Sequence, residues 1–197
     1  MESLILARHG ESTYSARGLL NGDPRISCGL TEVGQAQARR LGAELARCEL
    51  DLCVTSEFER ARDTARAGLA GRELPTLVLA ELNDPVYGCF EGARIEEYRA
   101  WAARAPSTEA PPGGGESRFA IVDRYARGLA TLLALPEETI LVVSHSLPVA
   151  YTLAAAAGAS PRPRAELVEY AVAYPLDRGS IERATAVLEA WLAAPDW

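Results

Sequence analysis

Leu4-Ile5-Leu6-Ala7-Arg8-His9-Gly10-Glu11-Ser12 opens the chain as an apolar strand that ends in an arginine, a histidine and a glycine. Ile140-Leu141-Val142-Val143-Ser144 has the same form and is followed directly by His145. His9 and His145 are the only 2 histidines present. Uninterrupted apolar runs of this kind suit strands covered on both faces, as in a parallel sheet flanked by helices. In open sheets of that class ligands sit outside the carboxyl ends of the strands. Both imidazoles are therefore expected at one sheet edge.

Outward from these two strands the pattern alternates. Strand-length runs fall at about 3–7, 51–55, 76–80, 139–144 and 169–176. Helical patterns run from Thr31 to about Arg47, from Glu57 to about Leu69 with Ser56 as N-cap, over Ile95 to Ala103, and over Glu116 to Leu135. An alanine-rich stretch after Leu147 ends at Gly158. The alternation predicts an α/β fold, a three-layer α/β/α sandwich on a mostly parallel central sheet. The C-terminal stretch reads two ways: a helix through Ile181, Ala184, Leu188, Trp191 and Leu192 capped by Ser180, or the start of an edge strand. Pro106 to Gly115, with three prolines and three consecutive glycines, reads as a mobile surface loop and not a boundary. The 197 residues fit one domain, 1–197.

Composition narrows the function. With 48% hydrophobic and 24% charged residues the chain is globular. A net charge of -7 argues against nucleic-acid and anionic membrane partners. All 20 basic residues are arginine, which excludes lysine Schiff-base chemistry and the Gly-Lys-Ser/Thr phosphate loop. Arginine suits bidentate capture of phosphate or carboxylate. Cys28, Cys48, Cys53 and Cys89 form no Cys-x-x-Cys pair, and Cys53 reads as a buried thiol. No cationic leader precedes Leu4 and no apolar run has transmembrane length, so a cytoplasmic location is expected.

The strand-end rule gathers Arg8, His9, Arg60 in the first turn of a helix, and His145 ahead of another helix N-terminus. Arginine forks and free helix N–H groups make an anion site, most economically for a phosphoryl group. Nearby positive charge favours a neutral, nucleophilic imidazole. A metal is not expected, because two histidines lack ligand spacing and the arginines repel a cation.

Leu6-Ala7-Arg8-His9-Gly10-Glu11-Ser12 resembles the Arg-His-Gly signature of the histidine phosphatase superfamily. Gly29-Leu30-Thr31-Glu32-Val33-Gly34-Gln35-Ala36, Thr55-Ser56-Glu57-Phe58-Glu59-Arg60-Ala61-Arg62-Asp63-Thr64-Ala65 and Val143-Ser144-His145 are similar to three further segments, in the family's order. The resemblance implies a phosphoglycerate mutase-like fold with His9 as nucleophile, and Arg8, Arg60 and His145 on the phosphoryl group. The family's acid segment corresponds to Leu82-Asn83-Asp84-Pro85-Val86-Tyr87-Gly88-Cys89-Phe90-Glu91-Gly92, which makes Asp84 the general acid. Asn83-Asp84-Pro85 equally reads as a plain turn, and Glu11 is then the acid. Ser15 stands where asparagine is common and Ser146 where glycine is common. Gly22 fits a phosphate-contacting glycine or a simple turn. Gly113-Gly114-Gly115-Glu116-Ser117 resembles the Gly-Glu-Ser segment of the phosphatase branches. The expectation is a phosphomonoesterase acting without metal or cofactor on a small phosphorylated metabolite through phosphohistidine. A phosphoglycerate mutase and a non-catalytic phospholigand-binding module are the alternatives.

Overall fold

The computed structural model describes residues 1–197. Five strands, β1 (Ser3–Arg8), β2 (Leu52–Thr55), β3 (Thr76–Val78), β4 (Thr139–Ser144) and β5 (Tyr174–Asp177), form one sheet in the order β3-β2-β4-β1-β5. All pairings are parallel except β1 with β5, which is antiparallel at the edge. Six helices complete the fold: α1 (Glu32–Glu44), α2 (Glu59–Gly68), α3 (Ile95–Ala102), α4 (Arg118–Ala134), α5 (Ser146–Ala156) and α6 (Arg178–Ala193).

The pleat explains why the central strands are apolar throughout. Alternate side chains point to opposite faces, and both faces are covered. Leu4, Leu6, Leu52, Val54, Ile140 and Val142 enter a core of 24 buried residues shared with α4, α5 and α6. Ile5, Ala7, Cys53, Leu141 and Val143 enter a smaller core of 12 with α1 and α2. Leu4 and Ile140 are fully buried, so truncating either to alanine costs about 2–5 kcal/mol. Burial also lifts the Cys53 thiol to about 12, which leaves it inert.

β1 and β4 are neighbours, with Ala7 opposite Val143 and Arg8 opposite Ser144. The chain leaves β1 toward α1 on one face and leaves β4 into α5 on the other. Such a switch point opens a crevice at the carboxyl ends, and His9 and His145 stand on its two sides.

Three local expectations are corrected. The strand expected at 169–176 is shorter, because Ala171 adopts a left-handed φ of 49° and the chain before it hooks over Arg8. The C-terminal stretch through Ile181 and Leu192 is helical, α6, and its cap is not Ser180 but Asp177, which accepts from the Ser180 amide. Segment 106–115 is fastened and not free: the Cys89 amide donates to Pro112 O at 2.7 Å and Ser107 is buried. No helix is long and apolar enough to cross a membrane.

Candidate active site

The turn that follows β1 is held from two sides. The Gly10 amide donates to Thr64 Oγ1 of α2 at 2.9 Å, and that hydroxyl donates to Arg60 O at 2.7 Å. On the other side α1 packs backbone to backbone. A Cβ on Gly34 would lie 2.0 Å from Glu11 O, so only glycine fits there. The same α2 that braces Gly10 carries Arg60 in its first turn.

Arg60 is the hub. Its side chain is 4% exposed. Nε donates to His9 Nε2 at 3.1 Å, and Nη2 lies 2.9 Å from Asp84 Oδ2, 3.2 Å from His145 Nδ1 and 3.0 Å from Asn21 O. The two imidazole centroids are 5.2 Å apart. A guanidinium only donates, which fixes the His9 tautomer. His9 must present a bare Nε2, so its proton sits on Nδ1 and is given to Gly10 O at 2.7 Å. Nη2 has two hydrogens for three acceptors, and His145 Nδ1 also lies 3.5 Å from Asp84 Oδ2, so His145 fits with its proton on either nitrogen, Nε2 lying 2.8 Å from Ser56 Oγ. Ser56 is therefore a partner of His145. It does not cap α2, whose N-cap is Phe58 with no side-chain bond. A hydroxyl both donates and accepts, so Ser56 tolerates either His145 tautomer.

Burial, then Arg60 and Arg8, holds His9 well below its ordinary value of 6.5. His145 is held down likewise by burial and then by Arg60. Burial outranks the neighbouring positive charge that the sequence emphasised. Asp84 moves the other way: burial raises it against the opposing pull of Arg60 and Arg8. Its side chain keeps 17% exposure, and it lines two clefts.

These shifts predict acid sensitivity. A histidine whose folded pKa is depressed leaves the unfolded state binding more protons below 6.5, so its stabilisation is lost as pH falls through that value. Asp84, raised above 3.8 in the fold, opposes this, because its contribution is lost as pH rises from 3.8. Two histidines against one aspartate leave a net loss of stability on acidification. Urea unfolding between about pH 7 and about pH 5 checks this. A flat profile would contradict the neutral buried pair.

Arg8 lies under a lid. Its guanidinium carbon is 3.7 Å from the Tyr170 ring centroid and Nη1 donates to Val168 O at 2.8 Å, while Nε is buried without a partner. The lid is tied to the helix after His145, where Ser146 Oγ accepts from the Val168 amide at 3.3 Å. Ser146 and Leu147, in the first turn of α5 where amides are unpaired within the helix, line the cavity.

Other expected residues divide. Ser15 lines the cavity, its hydroxyl held within the Ser12–Ser15 turn. Gly22 does not offer its amide to the cavity. The amide donates to Glu91 Oε2 at 2.8 Å, and a Cβ there would meet Pro85 O at 2.1 Å. Gly22 instead lets the loop that carries Asp84 approach. Glu11 accepts from Thr31 Oγ1 at 2.8 Å and does not line the cavity. Asn21, unnoticed in the sequence, stands beside Arg60 with a buried, unpartnered Nδ2. Glu116 of the Gly-Glu-Ser segment grips the loop that carries Asp84. It pairs through both oxygens with Arg124 at 2.9 and 2.8 Å and accepts the Val86 amide, while Arg124 Nη1 donates to Glu81 O and Asn83 O. No group of three or more His, Cys, Asp and Glu side chains is arranged as a metal site.

The site opens into a cavity of about 330 Å³ walled by Leu20, Tyr87, Tyr98 and Leu147, within the range of small-molecule sites. The profile of the histidine phosphatase superfamily, branch 1, matches residues 4–172. The chain belongs to this superfamily. An adenosylcobalamin/α-ribazole phosphatase of Salmonella typhimurium is 36% identical over 151 residues, covering 72% of this chain and 73% of that one. A 2,3-bisphosphoglycerate-dependent phosphoglycerate mutase of a Methylobacterium is 36% identical over 161 residues, covering 72% and 74%. The crystal structure of the α-ribazole phosphatase from Shigella flexneri superposes with a TM-score of 0.76 at 30% identity, over 89% of this chain and 90% of that one.

Proposed function

We propose that the protein hydrolyses a small phosphomonoester, without a metal, through a phosphohistidine on His9. The observation that carries this is the pairing of a bare His9 Nε2 with a carboxyl group, Asp84, across a single guanidinium, Arg60. Nε2 attacks phosphorus as the bond to the leaving oxygen breaks. Asp84 delivers its proton to that oxygen. Arg60 and Arg8, with His145 once Ser56 donates to its Nε2, bind the phosphoryl oxygens, where charge accumulates in a loose transition state. A water then attacks the phosphohistidine, gives its proton to Asp84, and frees phosphate and His9. Arg60 occupies the centre that His9, Asp84 and His145 surround, a position hostile to a metal cation.

The phosphatase relatives favour hydrolysis. The mutase relative favours a second reading, in which the phosphoryl group returns from His9 to a bound acceptor. Phosphate release and conversion of 3-phosphoglycerate to 2-phosphoglycerate, followed side by side after exhaustive chelation, separate them. Phosphate release should dominate and survive chelation, and vanadate should inhibit as a five-coordinate mimic. Primer-dependent interconversion that outpaces release would establish the mutase, and activity restored only by added metal would refute the metal-free route.

A further inference from the structure

Arg118 is a buried cation that the chemistry at His9 leaves unused. It is the first residue of α4, is 8% exposed, and lines the same cavity as His9 and Arg60. Arg60 and Arg124 answer to Asp84 and Glu116, but no carboxylate lies within ion-pair distance of Arg118. Its Nε and Nη1 are buried with no hydrogen-bond partner. The groups around it are phenols: the guanidinium carbon is 5.3 Å from the Tyr98 ring centroid, and Tyr151 offers a hydroxyl oxygen while its proton goes to Arg162 O. Phenols are uncharged at neutral pH. They cradle a guanidinium without neutralising it.

An unpaired charge in such a place is costly, and a fold that keeps one has a use for it. Arg99 and Arg164 also line the cavity, but nearer solvent and with Glu96 and Glu166 on the same rim. Arg118 is the deep one. The cavity that Arg118 shares with the His9 cluster is also lined by apolar and aromatic side chains, Leu20, Tyr87 and Tyr98.

We propose that Arg118 is a second anion subsite, so that the substrate is a phosphomonoester whose leaving group carries a further oxyanion, a carboxylate or a phosphate. The phosphoryl group reacts at His9 while the remote oxyanion accepts hydrogen bonds from the Arg118 guanidinium. This rests on the proposed phosphomonoesterase reading and deepens it by naming the substrate class.

The test measures binding and turnover separately. Alkyl phosphonates of increasing chain length, which have no ester bond to break, are titrated calorimetrically in three forms: terminal carboxylate, terminal phosphonate and neutral terminal amide. The corresponding phosphate esters are assayed for phosphate release. At the best chain length one of the acidic forms should bind about tenfold to a hundredfold more tightly than the amide, and which acid wins distinguishes carboxylate from phosphate. Arg118→Met should bring that ratio near one, and Arg118→Lys should keep part of it. A merely structural role would weaken acidic and neutral forms together and leave the ratio standing. Equal affinities in the unaltered protein, or a ratio that survives Arg118→Met, would overturn the proposal. Selective binding without hydrolysis of any ester would instead refute the phosphomonoesterase reading and leave the subsite intact.

Discussion

His9→Ala lowers turnover below about a thousandth of the unaltered protein, as expected when a covalent nucleophile is removed. Nothing else in the site can take its place. His145 is the other imidazole, but it is fully buried while His9 lines the cavity, and its Nε2 is taken by Ser56. The hydroxyls of Ser12 and Ser15 are bonded to one another's turn. The fold should survive the substitution. The His9 side chain makes two hydrogen bonds, to Gly10 O and from Arg60 Nε, and the turn is held independently by Thr64 and by α1. Removing an imidazole that burial keeps neutral also relieves acid sensitivity, so the variant should lose less stability on acidification. Steady-state phosphate release, with circular dichroism to confirm folding, checks the prediction. A folded variant retaining more than about a hundredth of the activity contradicts nucleophilic catalysis by His9.

Asp84→Asn slows alkyl phosphates by about a hundred- to ten-thousandfold, the usual contribution of a general acid. The amide can still accept from Arg60, so the hub stays in place while the proton is lost. An aryl phosphate such as p-nitrophenyl phosphate has a leaving group that departs without protonation and should suffer far less. The same acid sets the pH profile. Burial raises Asp84, and it must be protonated to donate, so alkyl phosphate turnover should decline as pH rises through its raised value. That limb should vanish in the asparagine variant. Equal losses on alkyl and aryl esters would mean that Asp84 positions Arg60 and does not donate the proton. Glu11 would not inherit the role by geometry, since it is bonded to Thr31 outside the cavity.

The parts of this arrangement that could be read in the sequence are those fixed by strand ends. A run buried on both faces has one place to put the residue that follows it, so His9 and His145 were bound to meet once β1 and β4 paired. Arg60 follows from a helix that begins just beyond β2. What escaped is set by contacts between distant segments. Ser56 has the chemistry of an N-cap, and only the arrival of His145 from β4 gives it another partner. Asn21 and the Val168–Tyr170 lid belong to irregular backbone, where no periodicity marks orientation. Gly22 is a glycine for a steric reason, the passage of Pro85, that no local pattern encodes. The apolar run at 169–176 invites a long strand, and a single left-handed residue, Ala171, redirects half of it onto Arg8. Arg118 reads as one more arginine at a helix start until its lack of a counter-charge is seen.

The central claim is that the phosphoryl group passes through His9. The direct measurement is a rapid alkaline quench of the protein with labelled phosphomonoester, followed by peptide mapping of the label. Acid-labile, base-stable phosphate should be found on the peptide that contains His9, should be absent in His9→Ala, and should accumulate further in Asp84→Asn with an aryl ester, where the acid's return role in activating water is lost. Multiple turnovers with no labelled His9 at any quench time, or label on His145 instead, would contradict the account.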